Sequence, residues 1–350
     1  MAGPRRIARQ PPVVNWLLVI AGAVGVVWIL NDIFKAVLVP RAIDDERRIS
    51  VWFARVSWHV WSRAAARLEP DRREEFLGLV APFAFVMLVA IWLSFLVLFY
   101  GLILFGLRDQ VSPHLHSLGD AIYFAGASVL TVGYGDFVGQ GALARIVTLL
   151  AAASGIGTAS VTIAFLFLVI GSFQQRERFI VVLDARAGAP ASGLALLETY
   201  AQLGMLAELP DLFRNSQSWI ADVLNSHLAY PILMAFRSSH RDESWVAALG
   251  ALLDAAALLV TVVENVPAGE ARLLLDVGMH LTHDLASYYI LPDVEMPPAD
   301  PATCAALRER LTKAGYRVRD DADAWTEFNA LRASYGKPLE GISKRWFVST

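Results

Sequence analysis

Two glycines within five residues mark the stretch with the most distinctive chemistry in this chain: Thr131-Val132-Gly133-Tyr134-Gly135, followed by Asp136. Glycine tolerates dihedrals that a Cβ forbids, so such a stretch can run nearly straight with successive backbone carbonyls aimed at one axis. The chemistry on offer is that of oxygen ligands for a cation. No serine, cysteine or carboxylate constellation elsewhere has a recognisable catalytic spacing, so no enzyme is expected. The plain alternative is a Gly-Tyr-Gly turn in an ordinary loop, and the flanking sequence decides between the two.

The surroundings read as a membrane frame. The chain has 350 residues, of which 56% are hydrophobic and only 18% charged, and its mean hydropathy is +0.47, above the usual range of soluble domains. A net charge of -3 without a run of like charges sets nucleic-acid binding aside. Cys304 is the only cysteine, so no intrachain disulfide can form.

Val13 to Leu30 is apolar apart from Asn15, about the length needed to cross a hydrocarbon core of roughly 30 Å. Arg5, Arg6 and Arg9 before it imitate a signal peptide, but the run continues past Asn31, Asp32 and Lys35 to Val39-Pro40 without a clear cleavage site, so a retained transmembrane helix is expected. Residues 41–75 carry Arg41, Arg47, Arg48, Arg55, Arg63, Arg67, Arg72 and Arg73, which the positive-inside rule places in the cytoplasm. Within them, Val51–Leu68 combines Trp52, Phe53, Val56, Val60 and Trp61 with Arg55, His59, Arg63 and Arg67 at four-residue spacing, the pattern of a helix lying in the headgroup region. A voltage sensor would need arginines at a spacing of three and more helices around them.

Phe76–Leu107 is an outer helix long enough to tilt or project. After a polar connection at Arg108–Pro113, Ser117 and Asp120 stand in the S-x-x-D arrangement of a helix start. The helix they open, Leu118–Leu130, is too short to span, so it re-enters and turns back through Thr131–Asp136. A turn at Gly139–Gly141 leads into the apolar helix Ala142–Gly171, whose Ser154-Gly155-Ile156-Gly157-Thr158-Ala159-Ser160 approaches a nucleotide fingerprint but has no strand before it. Small residues there suit close packing or a bend.

Helix, re-entrant helix, Thr131–Asp136 and helix, over residues 78–173, resemble the pore of bacterial-type potassium channels with one TVGYG loop per subunit. The resemblance implies that the Thr131 hydroxyl and the carbonyls of Thr131, Val132, Gly133 and Tyr134 coordinate K+, with Gly135 and Asp136 supporting the filter. It implies a homotetramer, since one loop supplies a quarter of each oxygen ring, with membrane lipid around it, K+ as the transported ion and no organic cofactor. Leu130 in place of a threonine, no proline soon after Asp136 and no acidic residue behind the filter on the pore helix depart from the familiar pattern. Ile156, Ser160, Ile163 and Phe167 share one face of the inner helix and are candidates to line the cavity, Phe167 and Leu168 for an apolar gate, and Gly155 for a hinge; the alternative is that these residues pack against other helices and the pore face is rotated away from them.

With the filter facing outward, the arginine-rich linker is inside, and one crossing before it leaves Arg5, Arg6 and Arg9 outside. The linker is expected to outweigh those three charges; the alternative is that Val51–Leu68 also crosses.

Arg176, Glu177 and Arg178 mark the cytoplasmic exit. Phe179–Leu183 fits a strand or a helix extension equally, and Gly188-Ala189-Pro190 breaks the chain. From Gly193 to about Tyr335 the periodicity is helical, interrupted at Pro210, Pro231, Pro267 and Pro292–Pro301, without a nucleotide-binding fingerprint. Trp245–Val263 is apolar enough to imitate a span, but Asp254 at its centre argues for a buried core helix. His227, His240, His280 and His283 are the only tempting chemistry in this half. His280 and His283, three apart beside Asp284, are a candidate metal or proton sensor, against the plainer reading of surface or packed histidines.

The expectation is therefore an all-α membrane protein: an N-terminal transmembrane helix at 1–40, an interfacial linker at 41–75, a pore domain at 76–174, and an all-α cytoplasmic regulatory domain at 175–350. It predicts a multi-pass protein of the cell membrane that conducts K+ passively and is gated at the inner helix under the influence of a cytoplasmic ligand or partner of unknown kind. The alternatives are a membrane receptor or scaffold, or a non-conducting subunit of a mixed channel.

Overall fold

The computed structural model describes residues 14–39, 48–238, 243–289, 291–292, 294–319 and 321–347. Arg5, Arg6, Arg9, Arg41, Arg47 and His240 lie outside the described residues. The described chain is almost wholly helical. Three of its helical stretches are long and apolar enough to cross a membrane: Trp16–Val37, Arg72–Gly106 and Ala142–Ala187. It divides into two compact units, residues 1–68 with 82–167, and residues 69–81 with 168–350. The segment leading into the outer helix, residues 69–81, goes with the C-terminal half.

The first unit begins with α1 (Trp16–Val37), opened by Asn15, whose side chain accepts from the Leu18 amide at 3.4 Å. α2 (Ile49–Ala65) is the amphipathic helix and α4 (Val80–Gly106) the outer helix, while α3 (Pro70–Gly78), separated from α4 by Leu79 alone, falls in the second unit. α1 runs antiparallel to α4. Asn15 donates its amide to the Gly106 carbonyl at 2.9 Å, Gly22 sits against Ile103 and Phe99, Gly25 against the Phe99 ring, and Asp32 against Trp92. A Cβ at Gly22, Gly25 or Gly106 would collide with the facing helix, so small residues set the close approach.

Antiparallel neighbours need an even number of crossings between them, counting none, and α2 is not among the stretches suited to span. The reading of Val51–Leu68 as a further crossing or a voltage sensor therefore finds no support in this packing.

Buried at the end of that seam is a polar hub absent from the sequence reading. The Asp32 carboxylate, 2% exposed, accepts from Trp92 Nε1 at 2.8 Å, Ser50 Oγ at 2.9 Å, the Ser50 amide at 3.2 Å and Arg48 Nε at 3.3 Å. A buried carboxylate costs several kcal/mol unless its oxygens are filled by donors. These four donors fix the start of α2 to α1 and α4, while Trp61 packs on Phe83 with ring centroids 5.5 Å apart.

The second unit is all-α. It contains α7 (Gly193–Gln202), α8 (Leu209–Ala229), α9 (Trp245–Thr261), α10 (Gly269–Tyr289), α11 (Pro301–Lys313) and α12 (Ala322–Trp346). α9 is its centre: Leu249, Leu252, Leu253 and Leu259 are buried, each contributing on the order of 1.5–3 kcal/mol. Asp254, the residue that argued against a span, accepts from the Tyr335 hydroxyl at 2.7 Å and faces Arg332 at 3.5 Å.

α6 (Ala142–Ala187) is one helix of 46 residues, about 69 Å long, so Phe179–Leu183 extends the helix and is not a strand. It stops at Gly188, whose φ of +82° suits glycine. α12 continues past the expected end near Tyr335 and through Pro338, because Leu339 and Ile342 beyond the proline are buried in the core.

Candidate ion filter

α5 (Leu118–Val129) is the short helix predicted before the filter, and at 12 residues, about 18 Å, it cannot cross a hydrocarbon core. Its start carries the full capping box. Ser117 Oγ accepts from the Asp120 amide at 3.1 Å, and the Asp120 carboxylate accepts from the amides of Ser117 at 3.0 Å and His116 at 2.9 Å.

The stretch after α5 alternates in handedness. Thr131, Gly133 and Gly135 have φ of +56°, +65° and +80°, whereas Val132 and Tyr134 between them do not enter the left-handed region. Positive φ at every second residue departs from a β-strand, where N–H groups alternate from side to side, and lets neighbouring N–H groups turn the same way. The hydrogen bonds agree: the Thr131 amide donates to Ser128 O at 3.1 Å, and the amides of Val132 and Gly133 both donate to Ala127 O, at 2.9 and 3.3 Å. The amide side is thus tied back to the end of α5. Thr131 in a left-handed conformation costs roughly 1–2 kcal/mol, a strain these bonds help to hold.

Tyr123, which sequence reasoning missed, braces the far end. Its ring stacks on Tyr134 with centroids 6.4 Å apart, and Phe137 meets it edge-on at 6.2 Å. Asp136 accepts from the Phe137 amide at 3.0 Å. In place of an acidic residue behind the filter, the pore helix presents an aromatic ring to the filter's own Tyr134. The one available signal was the presence of aromatic residues at Tyr123 and Phe124 on a helix eleven residues or so before Tyr134, which does not specify a contact.

A two-residue ladder then ties the chain leaving the filter to the chain approaching α5. β1 (Val111–Ser112) pairs antiparallel with β2 (Val138–Gly139), Val111 opposite Gly139. Gln110 O accepts from the amides of Gln140 and Gly141 at 2.7 and 3.1 Å, while Gln110 Oε1 accepts from the Ala144 amide at 3.4 Å and so caps the start of α6.

On α6, Gly155 lies against the Val129 carbonyl so closely that a Cβ would overlap it, which gives this glycine a packing role at the foot of α5. The helix is continuous through it. Tyr100 joins α4 to α6, its hydroxyl 2.7 Å from Ser154 Oγ and 3.2 Å from Leu150 O. Ile156, Ser160, Ile163 and Phe167 are all exposed in the single chain, Phe167 at 72%, and Leu168 beside it is exposed too.

The candidate sensor is not brought together in the same way. His280 and His283 are exposed on α10, with His280 Nε2 3.4 Å from Asp284, and no group of three or more His, Cys, Asp or Glu suited to hold a metal ion occurs among the described residues. His227 is instead a fully buried histidine of the C-terminal unit. Its Nδ1 donates to Val223 O at 2.8 Å, which leaves Nε2 as the acceptor for Arg176 Nη1 at 3.2 Å. Burial, then the Arg176 charge, push the His227 pKa down to about 3.

A family model described as Ion channel matches residues 84–171, which encloses most of α4, all of α5, the filter and the membrane half of α6. Residues 84–171 are an ion-channel domain in an all-α membrane protein. The Uncharacterized membrane protein YdjJ of Bacillus subtilis (strain 168) is 24% identical over 199 residues, 56% of this chain and 58% of the relative. The chain therefore covers less than two thirds of that relative's length. No solved structure matches.

Proposed function

We propose that the chain is a potassium-selective channel that conducts K+ passively as a homotetramer in the cell membrane. The carbonyls of Thr131, Val132, Gly133 and Tyr134 and the Thr131 hydroxyl are its ion ligands. The observation that carries this reading is the alternation of positive φ at 131, 133 and 135 with the amides bonded back to Ala127 and Ser128, inside an ion-channel domain. A dehydrated cation needs several oxygens at once, and one strand supplies only one side of such a cage. The exposed apolar face of the inner helix and the exposed Tyr134 give the single chain a surface that further copies and lipid would cover.

Phe167 and Leu168 serve as the apolar gate in this reading. The C-terminal unit is cytoplasmic and biases the gate, and Gly155 limits or permits bending of the inner helix where it meets α5. The test is flux from proteoliposomes holding the purified full chain. K+ efflux with Na+ excluded is expected, and Gly133→Ala, which forces a side chain onto a φ of +65°, is expected to abolish that discrimination. No K+ flux from the parent, or unchanged selectivity in Gly133→Ala, would contradict the proposal.

A further inference from the structure

One short stretch of the C-terminal unit, Leu233 to Arg237, grips two segments of that unit that are far apart in sequence. The first is the continuation of the inner helix. Arg176, buried on α6, donates from Nη1 to Leu233 O at 3.3 Å and from Nη2 to Phe236 O at 3.0 Å, and Phe173 packs on the Phe236 ring with centroids 5.5 Å apart. Arg176 is also anchored by Glu177 at 3.0 Å and by His227, and its own carbonyl takes the Trp219 indole N–H.

The second is the segment that leads into the outer helix. Arg237, the residue after Phe236, reaches Glu74 on α3 at 3.6 Å. The same guanidinium donates to Phe347 O at 2.7 Å and to Trp346 O, at the end of α12, and the Arg73 guanidinium lies over the Phe347 ring. Phe347 closes α12 in a left-handed conformation, which turns the carbonyls of its last residues toward Arg237.

We infer that Leu233–Arg237 is a coupling element that fixes the segment entering the outer helix relative to the segment continuing the inner helix, with Arg237 as its positioning residue. On the proposed reading the gate lies on the inner helix, so an element that ties the continuation of that helix to the segment entering the outer helix sets the balance between closed and open states. The inference rests on the channel reading for its functional consequence, but not for the coupling itself. A guanidinium is suited to the task because its fixed fork holds two carbonyls and a carboxylate at once.

Two measurements on the full chain test it. In reconstituted bilayers, Arg237→Ala is expected to change the open probability by about fivefold or more, and Glu74→Gln by about twofold, with unitary conductance and K+/Na+ selectivity unchanged. Parent-like open probability in both variants would overturn the inference. In a Cys304→Ser background, spin labels at Arg72→Cys and Gln174→Cys, diluted with unlabelled chain, are expected to give a narrow distance distribution that broadens with Arg237→Ala or, where that variant fails to fold, with Glu74→Gln. An unchanged distribution, or a lower melting temperature without broadening, would assign Arg237 to stability alone. If the parent carries no current, the channel reading fails while the labels still decide the coupling.

Discussion

α9 and the membrane half of α6 have similar compositions and opposite fates. Both are rich in alanine, leucine and valine, yet in α9 every residue except Gly250, Asp254 and Val260 is buried by the helices around it, while in α6 Leu149, Ile156, Ile163 and Phe167 remain exposed, Leu149 at 72%. The difference is in what surrounds each helix. α9 is enclosed by α7, α8, α10 and α12 of its own chain, so its core is complete. The membrane half of α6 meets the Val129 carbonyl, Tyr100 and Phe85, and Leu149, Ile156, Ile163 and Phe167 are left exposed in the single chain. Apolar content alone does not separate a core helix from a span; burial on all faces by helices of the same unit does. Asp254 has the Tyr335 hydroxyl and Arg332, whereas α6 carries no Asp, Glu, Lys or Arg between Arg145 and Arg176.

The largest effect that would break this contrast concerns the charged group buried in the membrane unit. Asp32→Ala leaves Arg48 and Trp92 Nε1 without their acceptor, and a loss of roughly 3–5 kcal/mol is expected, read as a collapse of the thermal midpoint in detergent. A parent-like midpoint would mean that the hub does not hold α1, α2 and α4 together.

Next comes the contrast itself. Leu253→Ala in α9 is expected to cost about 2–5 kcal/mol, and Leu149→Ala on the open face of α6 within about 0.5 kcal/mol of nothing. Both are measured by denaturant titration of the same full chain. An equal loss at both positions would show that the exposed face of α6 is buried in the assembled protein, which sharpens the case for subunit contact there.

The third effect is one of pH. His227 is neutral in the fold, with a pKa of about 3 against an unfolded value of about 6.5, so between those values the unfolded chain binds the proton and the folded one does not. Stability supplied by the neutral histidine is present above pH of about 6.5 and is lost as pH falls toward about 3. His227→Gln is expected to flatten that part of the thermal midpoint profile, while an unchanged slope would place the acid sensitivity in other groups. Asp254 works the other way. A third of its side chain stays accessible, at 34%, yet burial still raises its pKa, partly offset by Arg332 and Tyr335, so its ionisation disfavours the fold as pH rises.

Local features of this architecture were readable in the sequence. The capping pair Ser117 and Asp120, the glycines at 133 and 135, the break at Gly188 and the acid in Trp245–Val263 each act through neighbours within a turn or two, or through a backbone preference of one residue type. What stayed hidden were contacts made across long separations. Asp32 meets Trp92 sixty residues away, Tyr123 meets Tyr134 only once α5 and the filter fold back on each other, and Arg237 finds α3 and the end of α12. None of these partners carries a periodicity that names the other. Phe179–Leu183 was ambiguous for a related reason: a short β-branched run suits either state, and Ile180 and Leu183, three residues apart and both buried in the C-terminal core, settle it as helix.

The central claim, that Thr131 to Tyr134 ring a line of dehydrated K+ ions, is tested most directly by locating the ions. The full chain, purified with Tl+ in place of K+, would be crystallised for anomalous diffraction. A tetramer is expected with several anomalous peaks on its fourfold axis, each caged by carbonyls of Thr131, Val132, Gly133 or Tyr134, and their loss when Na+ replaces Tl+. Carbonyls turned away from the axis, or an axis without ions in a well-ordered filter, would contradict it.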